Sequence, residues 1–159
     1  MNVDLLKAFF DAVQALNHQG KLLSYHDRSD GGLLATVAEM MFAGRMGVSL
    51  ALDDFCGDAC SALFNEELGA VLQVRRSDCD EVIQLLKHAG LIDCIHRIGD
   101  VSAEQQLTIR YSNELIYSAT RAELQAIWSE VSYRMQALRD NPDCALQQFE
   151  RIADNNDPG

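Results

Sequence analysis

Apolar residues near the start of the chain recur three and four positions apart. Leu6, Phe9, Phe10, Val13 and Leu16 share one face of a 3.6-residue period, which predicts an amphipathic helix over residues 3–18, closed near Gly20. The run KLLSY that follows reads as a short buried strand. From Leu33 the helical period returns, through Leu34, Val37, Ala38 and Met41, with Gly44 as the predicted C-cap. Val48, Leu50 and Leu52 then alternate as a strand. DDFCGDACSALFNEELG reads as a loop with a short helix, before a buried strand AVLQV.

The second half repeats these signals. Ser77 or Asp78 can cap a helix carrying Val82, Ile83, Leu85, Leu86 and Ala89, stopped by Gly90. CIHRIGDV, QLTIRY and LIYSAT read as strands separated by the polar turns SAEQ and SNE. Leu124, Ile127, Trp128, Val131, Met135 and Leu138 mark a long helix that Pro142 must break or kink. This order predicts a layered α/β domain in which helices pack on a mixed β-sheet.

Composition narrows the partners. The 159 residues are 48% hydrophobic, enough for one domain with a core. Thirteen Lys and Arg against 24 Asp and Glu leave a net charge of -11, which repels nucleic acid and anionic membranes. A nucleotide remains possible where a metal ion bridges carboxylates to phosphates. Five cysteines, an odd number, suit a reduced cytoplasmic protein better than a disulfide framework. Cys56 and Cys60 have no second ligand pair at zinc-finger spacing.

The densest polar chemistry lies in YHDRSDGGLLATVAEM, residues 25–40. It joins the end of a strand to the start of a helix, where α/β sheets usually bind ligands. Ser29 or Asp30 can cap the helix, Gly31 and Gly32 permit close backbone approach, and the first free N–H groups favour an anion. Asp27 is a hard oxygen ligand of the kind that holds Mg²⁺ against phosphate. A capped turn with His26 as a hydrogen-bonded structural residue explains the same residues, and both readings stay open. The stretch has no phosphate-loop lysine and no dinucleotide glycine spacing, and a nucleophilic Ser29–His26 pair would need a third orienting group. A second polar cluster, LFNEELGAV, places Asn65, Glu66 and Glu67 before a buried strand, either as a solvated loop or as contacts to a ligand at the same sheet edge.

YHDRSDGGLLATVAEMMFAG and LFNEELGAVLQV, together with HAGLIDCIHRIGDV and WSEVSYRMQALRDNPDCA, resemble the large single-chain phosphoribosylformylglycinamidine synthases. The likeness is to the second of their two domains similar to the C-terminal domain of aminoimidazole ribonucleotide synthetase, and it covers nearly the whole chain. The resemblance implies residues 1–140 as that domain and 141–159 as a linker segment leading toward an absent glutamine amidotransferase domain. It implies a part in ATP- and glutamine-dependent conversion of formylglycinamide ribonucleotide to the amidine in purine biosynthesis. It also implies Asp27 as a Mg²⁺ ligand and Ser29 as a nucleotide contact, at an auxiliary site that retains ADP rather than the ATP turnover site. Asn65 and Glu66 fall near that site. The other synthase domains would be the partners, and the isolated chain would be inactive, with self-association through apolar surface left uncovered. The alternative is a free-standing nucleotide-binding or regulatory module on the same scaffold.

Overall fold

The computed structural model describes residues 3–55 and 57–154. The single domain expected from length resolves into two compact units. One holds the described residues up to Thr36 together with Leu63–Arg97, and the other Val37–Ala62 with the described residues from Ile98 onward.

In the first unit, helix α1 (Val3–His18) leads into strand β1 (Leu22–Asp27). Gly20, at φ +65°, lets the Lys21 N–H reach back to the Leu16 carbonyl at 3.0 Å, closing the helix where the glycine predicts. Helix α2 (Gly32–Gly44) starts in this unit, and α3 (Ala59–Phe64) ends in it. Strand β3 (Ala70–Val74) runs antiparallel to β1, pairing Tyr25 with Leu72 and Asp27 with Ala70. Helix α4 (Cys79–His88) presents Val82 and Leu86 to Ala12 and Leu16 of α1, and Leu91 completes this core. The predicted apolar period of α4 is the one that packs, whereas α1 packs through Leu5, Phe9, Ala12 and Leu16 and leaves the predicted Leu6 and Phe10 exposed.

The second unit is built on a four-stranded sheet. Strands β2 (Gly47–Ala51), β4 (Gly99–Ser102), β5 (Gln106–Tyr111) and β6 (Glu114–Thr120) lie in the order β4-β2-β5-β6. The β2–β5 pair is parallel and the other two are antiparallel, so this sheet is mixed, as predicted, while β1–β3 forms a separate ladder. Leu50, Leu107 and Ile109 line its buried face, each no more than 1% exposed. Ser112 and Asn113 take left-handed φ values of 50° and 68° in the β5–β6 hairpin, the conformation that two-residue hairpin turns require.

Helix α5 (Arg121–Arg139) begins with a capping box between Thr120 and Glu123. Its Arg121 is fully buried and donates to the Gln105 and Gln125 side chains and, at 3.3 Å, to the Ile152 carbonyl. Burial, and then the Arg45 charge, push its pKa below the usual guanidinium value.

Further expectations change. The left-handed residue after α2 is Arg45, at φ 49°, and Gly44 is the last helical residue. Of the strand read over 94–101, β4 takes only Gly99 onward, with the Ile98 carbonyl still accepting from the Ala51 N–H at 2.9 Å, and Ile92–Cys94 forms a 3-10 turn instead. Residues 142–150, read as linker, form helix α6 (Pro142–Glu150), capped by the Asn141 side chain and packed on α5 through the Tyr133–Phe149 stack at 4.6 Å. The apolar residues that mark α5 mostly face solvent, whereas smaller and polar side chains such as Ala126, Ser129 and Gln136 are its half-buried ones. Cys56 and the tail from 155 to 159 lie outside the described residues.

Candidate nucleotide-binding turn

The candidate site lies wholly in the first unit, between the end of β1 and the start of α2. Pairing of β1 with β3 continues past the strand, as the Arg28 N–H donates to the Gly69 carbonyl at 2.8 Å. This holds the chain extended through Asp27. The turn then closes with the Gly32 N–H donating to the Ser29 carbonyl at 3.0 Å. Gly31 and Gly32 both adopt left-handed φ values, 82° and 67°. A Cβ on Gly32 would sit 2.6 Å from the Leu63 carbonyl oxygen and 2.9 Å from Phe64 Cα, so close backbone approach requires glycine here.

The carbonyl of Asp27 is held on two sides. Thr36, buried, directs its hydroxyl to the Gly32 carbonyl at 2.9 Å and more distantly to the Asp27 carbonyl at 3.5 Å. His26 Nδ1 lies 2.7 Å from the same Asp27 carbonyl. A carbonyl only accepts, so Nδ1 carries the proton and donates it. This bond makes His26 a clamp on the turn. The Asp27 carboxylate itself is 72% exposed. Partial desolvation, and then the Asp27 charge, raise the pKa of the neighbouring Tyr25 phenol.

The two polar clusters of the sequence meet at this turn. Glu66 accepts a hydrogen bond from the Gly31 N–H at 3.0 Å, across 35 residues of chain. Asn65 donates to Glu67 within its own loop. The helix begins at Gly32, so neither Ser29 nor Asp30 adjoins it, and the anion at this helix start is the chain's own Glu66. Nothing local in the sequence signals that pairing.

The donor set bears on a metal. Mg²⁺ is commonly held by one or two carboxylates plus phosphate oxygens and water, not by an all-protein cage. Asp27 offers one exposed hard carboxylate, and no group of three or more His, Cys, Asp or Glu side chains among the described residues could hold a metal ion. The residues thus fit a phosphate-bridged Mg²⁺ and do not fit a metal held by protein alone.

The family described as AIR synthase related protein, C-terminal domain, matches residues 1–112, which include the whole turn and Glu66. The chain is 48% identical over 160 residues to the phosphoribosylformylglycinamidine synthase of Schizosaccharomyces pombe, an overlap of 99% of this chain and 12% of that relative. It therefore spans about an eighth of the relative's length. The solved structure of T. maritima PurL complexed with FGAR matches with a TM-score of 0.66 at 17% identity, over 74% of this chain and 20% of that one. T. maritima PurL complexed with ATP gives 0.64 at 18% identity, over 74% and 21%. At such identities the structural likeness concerns the fold. The family match over residues 1–112 shows that this chain belongs to the AIR synthase related protein C-terminal domain family, and the structural likeness agrees on the fold.

Proposed function

We propose that this chain serves as a C-terminal-type domain within a phosphoribosylformylglycinamidine synthase, where the Asp27–Gly32 turn forms one wall of a Mg-nucleotide pocket. The observation that carries the reading is 48% identity to the yeast synthase over 99% of the chain. The complete enzyme would use ATP and glutamine to convert formylglycinamide ribonucleotide to the amidine. Free thiols at Cys60, Cys79, Cys94 and Cys144 suit a reducing cytoplasm.

In the pocket, Mg²⁺ would neutralise phosphate charge and orient it. Asp27, exposed at the strand end, would offer its carboxylate to the metal, and Ser29 would contact the nucleotide. His26 and Thr36 would keep the Asp27 backbone in place through its carbonyl. Phosphate would approach beside Asp27 and Ser29, since Glu66 already takes the Gly31 N–H and would repel a second anion there. The nucleotide we assign is a retained ADP, as in an auxiliary site, and turnover would belong to other domains.

The test has two arms. The purified chain alone should form no amidine and hydrolyse no glutamine. A chimera carrying this chain in place of the matching segment of the Schizosaccharomyces pombe synthase should form amidine. Turnover by the chain alone, or an intact chimera with no activity, would overturn the assignment.

A further inference from the structure

Helix α5 turns its most apolar side to solvent. Ile127, Val131, Met135 and Leu138 are 71, 67, 66 and 90% exposed, beside Trp128 at 60%. Spacings of four, four and three place the four aliphatic residues on one stripe of a helix, about 17 Å long at 1.5 Å per residue. The Trp128 ring is fixed at one edge, 5.9 Å from Phe42, with its Nε1 donating to Glu39 at 3.0 Å. A contiguous apolar stripe of this kind marks an interaction surface, because leaving it in water is unfavourable.

Two observations indicate what covers it. The overlap with the yeast synthase leaves 88% of that relative (100% minus the 12% covered) as other polypeptide. A second copy of this chain would instead bring a further net charge of -11 against the first. On the flank of the stripe, Glu130 and Arg134 already pair with each other at 2.6 Å, so they offer a second copy no open countercharge. We propose that the Ile127–Leu138 stripe is a docking face for an apolar surface elsewhere in the synthase polypeptide. This rests on the functional reading above, which makes the rest of the synthase the occupant.

The chimera with the Schizosaccharomyces pombe synthase tests it. Ile127→Cys and Leu138→Cys are introduced separately, and maleimide labelling of the new thiol is followed by peptide mass spectrometry. In the dilute isolated chain both thiols should label fast, and in the chimera at least 100-fold more slowly. Free labelling in the chimera would overturn the proposal. A dimer of the isolated chain with concentration-dependent protection, combined with free labelling in the chimera, would overturn it by assigning the stripe to a second copy. Should cysteine disturb the chimera, amide hydrogen exchange over residues 127–138 in its unsubstituted form gives the same comparison. Amidine formation by the same chimera separates the two claims. Activity with an unprotected stripe sinks the docking face alone, whereas protection without activity counts against the functional reading.

Discussion

Gly32→Ala probes the geometry on which the turn depends. The residue sits at φ +67°, where a Cβ costs about 1–2 kcal/mol through its clash with the backbone. Stiffening of the unfolded chain by alanine offsets about 0.4–1 kcal/mol of that. At Gly32 a second cost is added, because the new Cβ would meet the Leu63 carbonyl oxygen at 2.6 Å and the Phe64 carbonyl carbon at 2.8 Å. Both are backbone atoms, so the end of α3 must shift, and overpacking of this kind costs about 1–3 kcal/mol. The total comes to about 3 kcal/mol. Gly90 supplies the control, since it has φ +84° and no heavy atom within 4 Å of an added Cβ. Gly90→Ala should cost only about 1 kcal/mol, the left-handed contribution less the unfolded-state offset. Urea unfolding followed by far-UV circular dichroism measures both variants. Equal losses, within about 0.5 kcal/mol, would refute the claim that the turn is locked by close approach to α3.

Other perturbations test the remaining contacts. Arg121→Ala should cost about 3 kcal/mol by leaving Gln105 and Gln125 without their buried donor, and amide exchange in α6 should accelerate as the bond to Ile152 is lost. Thr120→Ala removes the N-cap of α5 and should cost about 1 kcal/mol in the same unfolding assay. The backbone and hydroxyl of Thr120 hold the Glu123 pKa below its ordinary carboxylate value, so the unfolded chain binds that proton more readily than the folded one. The stability from Glu123 is therefore full above the ordinary carboxylate pKa and lost as pH falls through the folded value. The gap between wild type and Glu123→Ala should close over that acidic range, and a pH-independent gap would contradict the cap. Glu66→Gln removes a negative charge beside the turn and should tighten Mg-ADP binding several-fold in calorimetry, about 1 kcal/mol, whereas weaker binding would show that Glu66 helps to hold the ligand.

Local periodicity carries much of this architecture. The apolar positions of α4 predict both the helix and the face that packs, while those of α1 predict the helix but only part of its face, since Leu6 and Phe10 are exposed and Ala12 is buried. For α5 the period predicts the helix, yet periodicity cannot reveal what lies opposite the stripe, and here solvent does. The start of that helix was readable, since Thr120 and Glu123 stand at capping-box spacing. Asn141 before Pro142 is likewise a helix-start signal, which outweighs the polar character of the segment. At the candidate site the two glycines and Asp27 stand out by residue type. The bond from Gly31 to Glu66 does not, because it depends on β1–β3 pairing and joins residues 35 apart. The contact of His26 also needed coordinates, since only they show its Nδ1 2.7 Å from the Asp27 carbonyl.

The central claim is that the Asp27 turn holds a Mg-nucleotide within a synthase. Its most direct test is nucleotide retention by the yeast-synthase chimera, measured after gel filtration in Mg²⁺, with Asp27 intact and as Asp27→Asn. The account predicts that the intact chimera keeps ADP that Asp27→Asn loses, with affinity for Mg-ADP at that site falling at least ten-fold. Equal retention and equal affinity in the two proteins would contradict it.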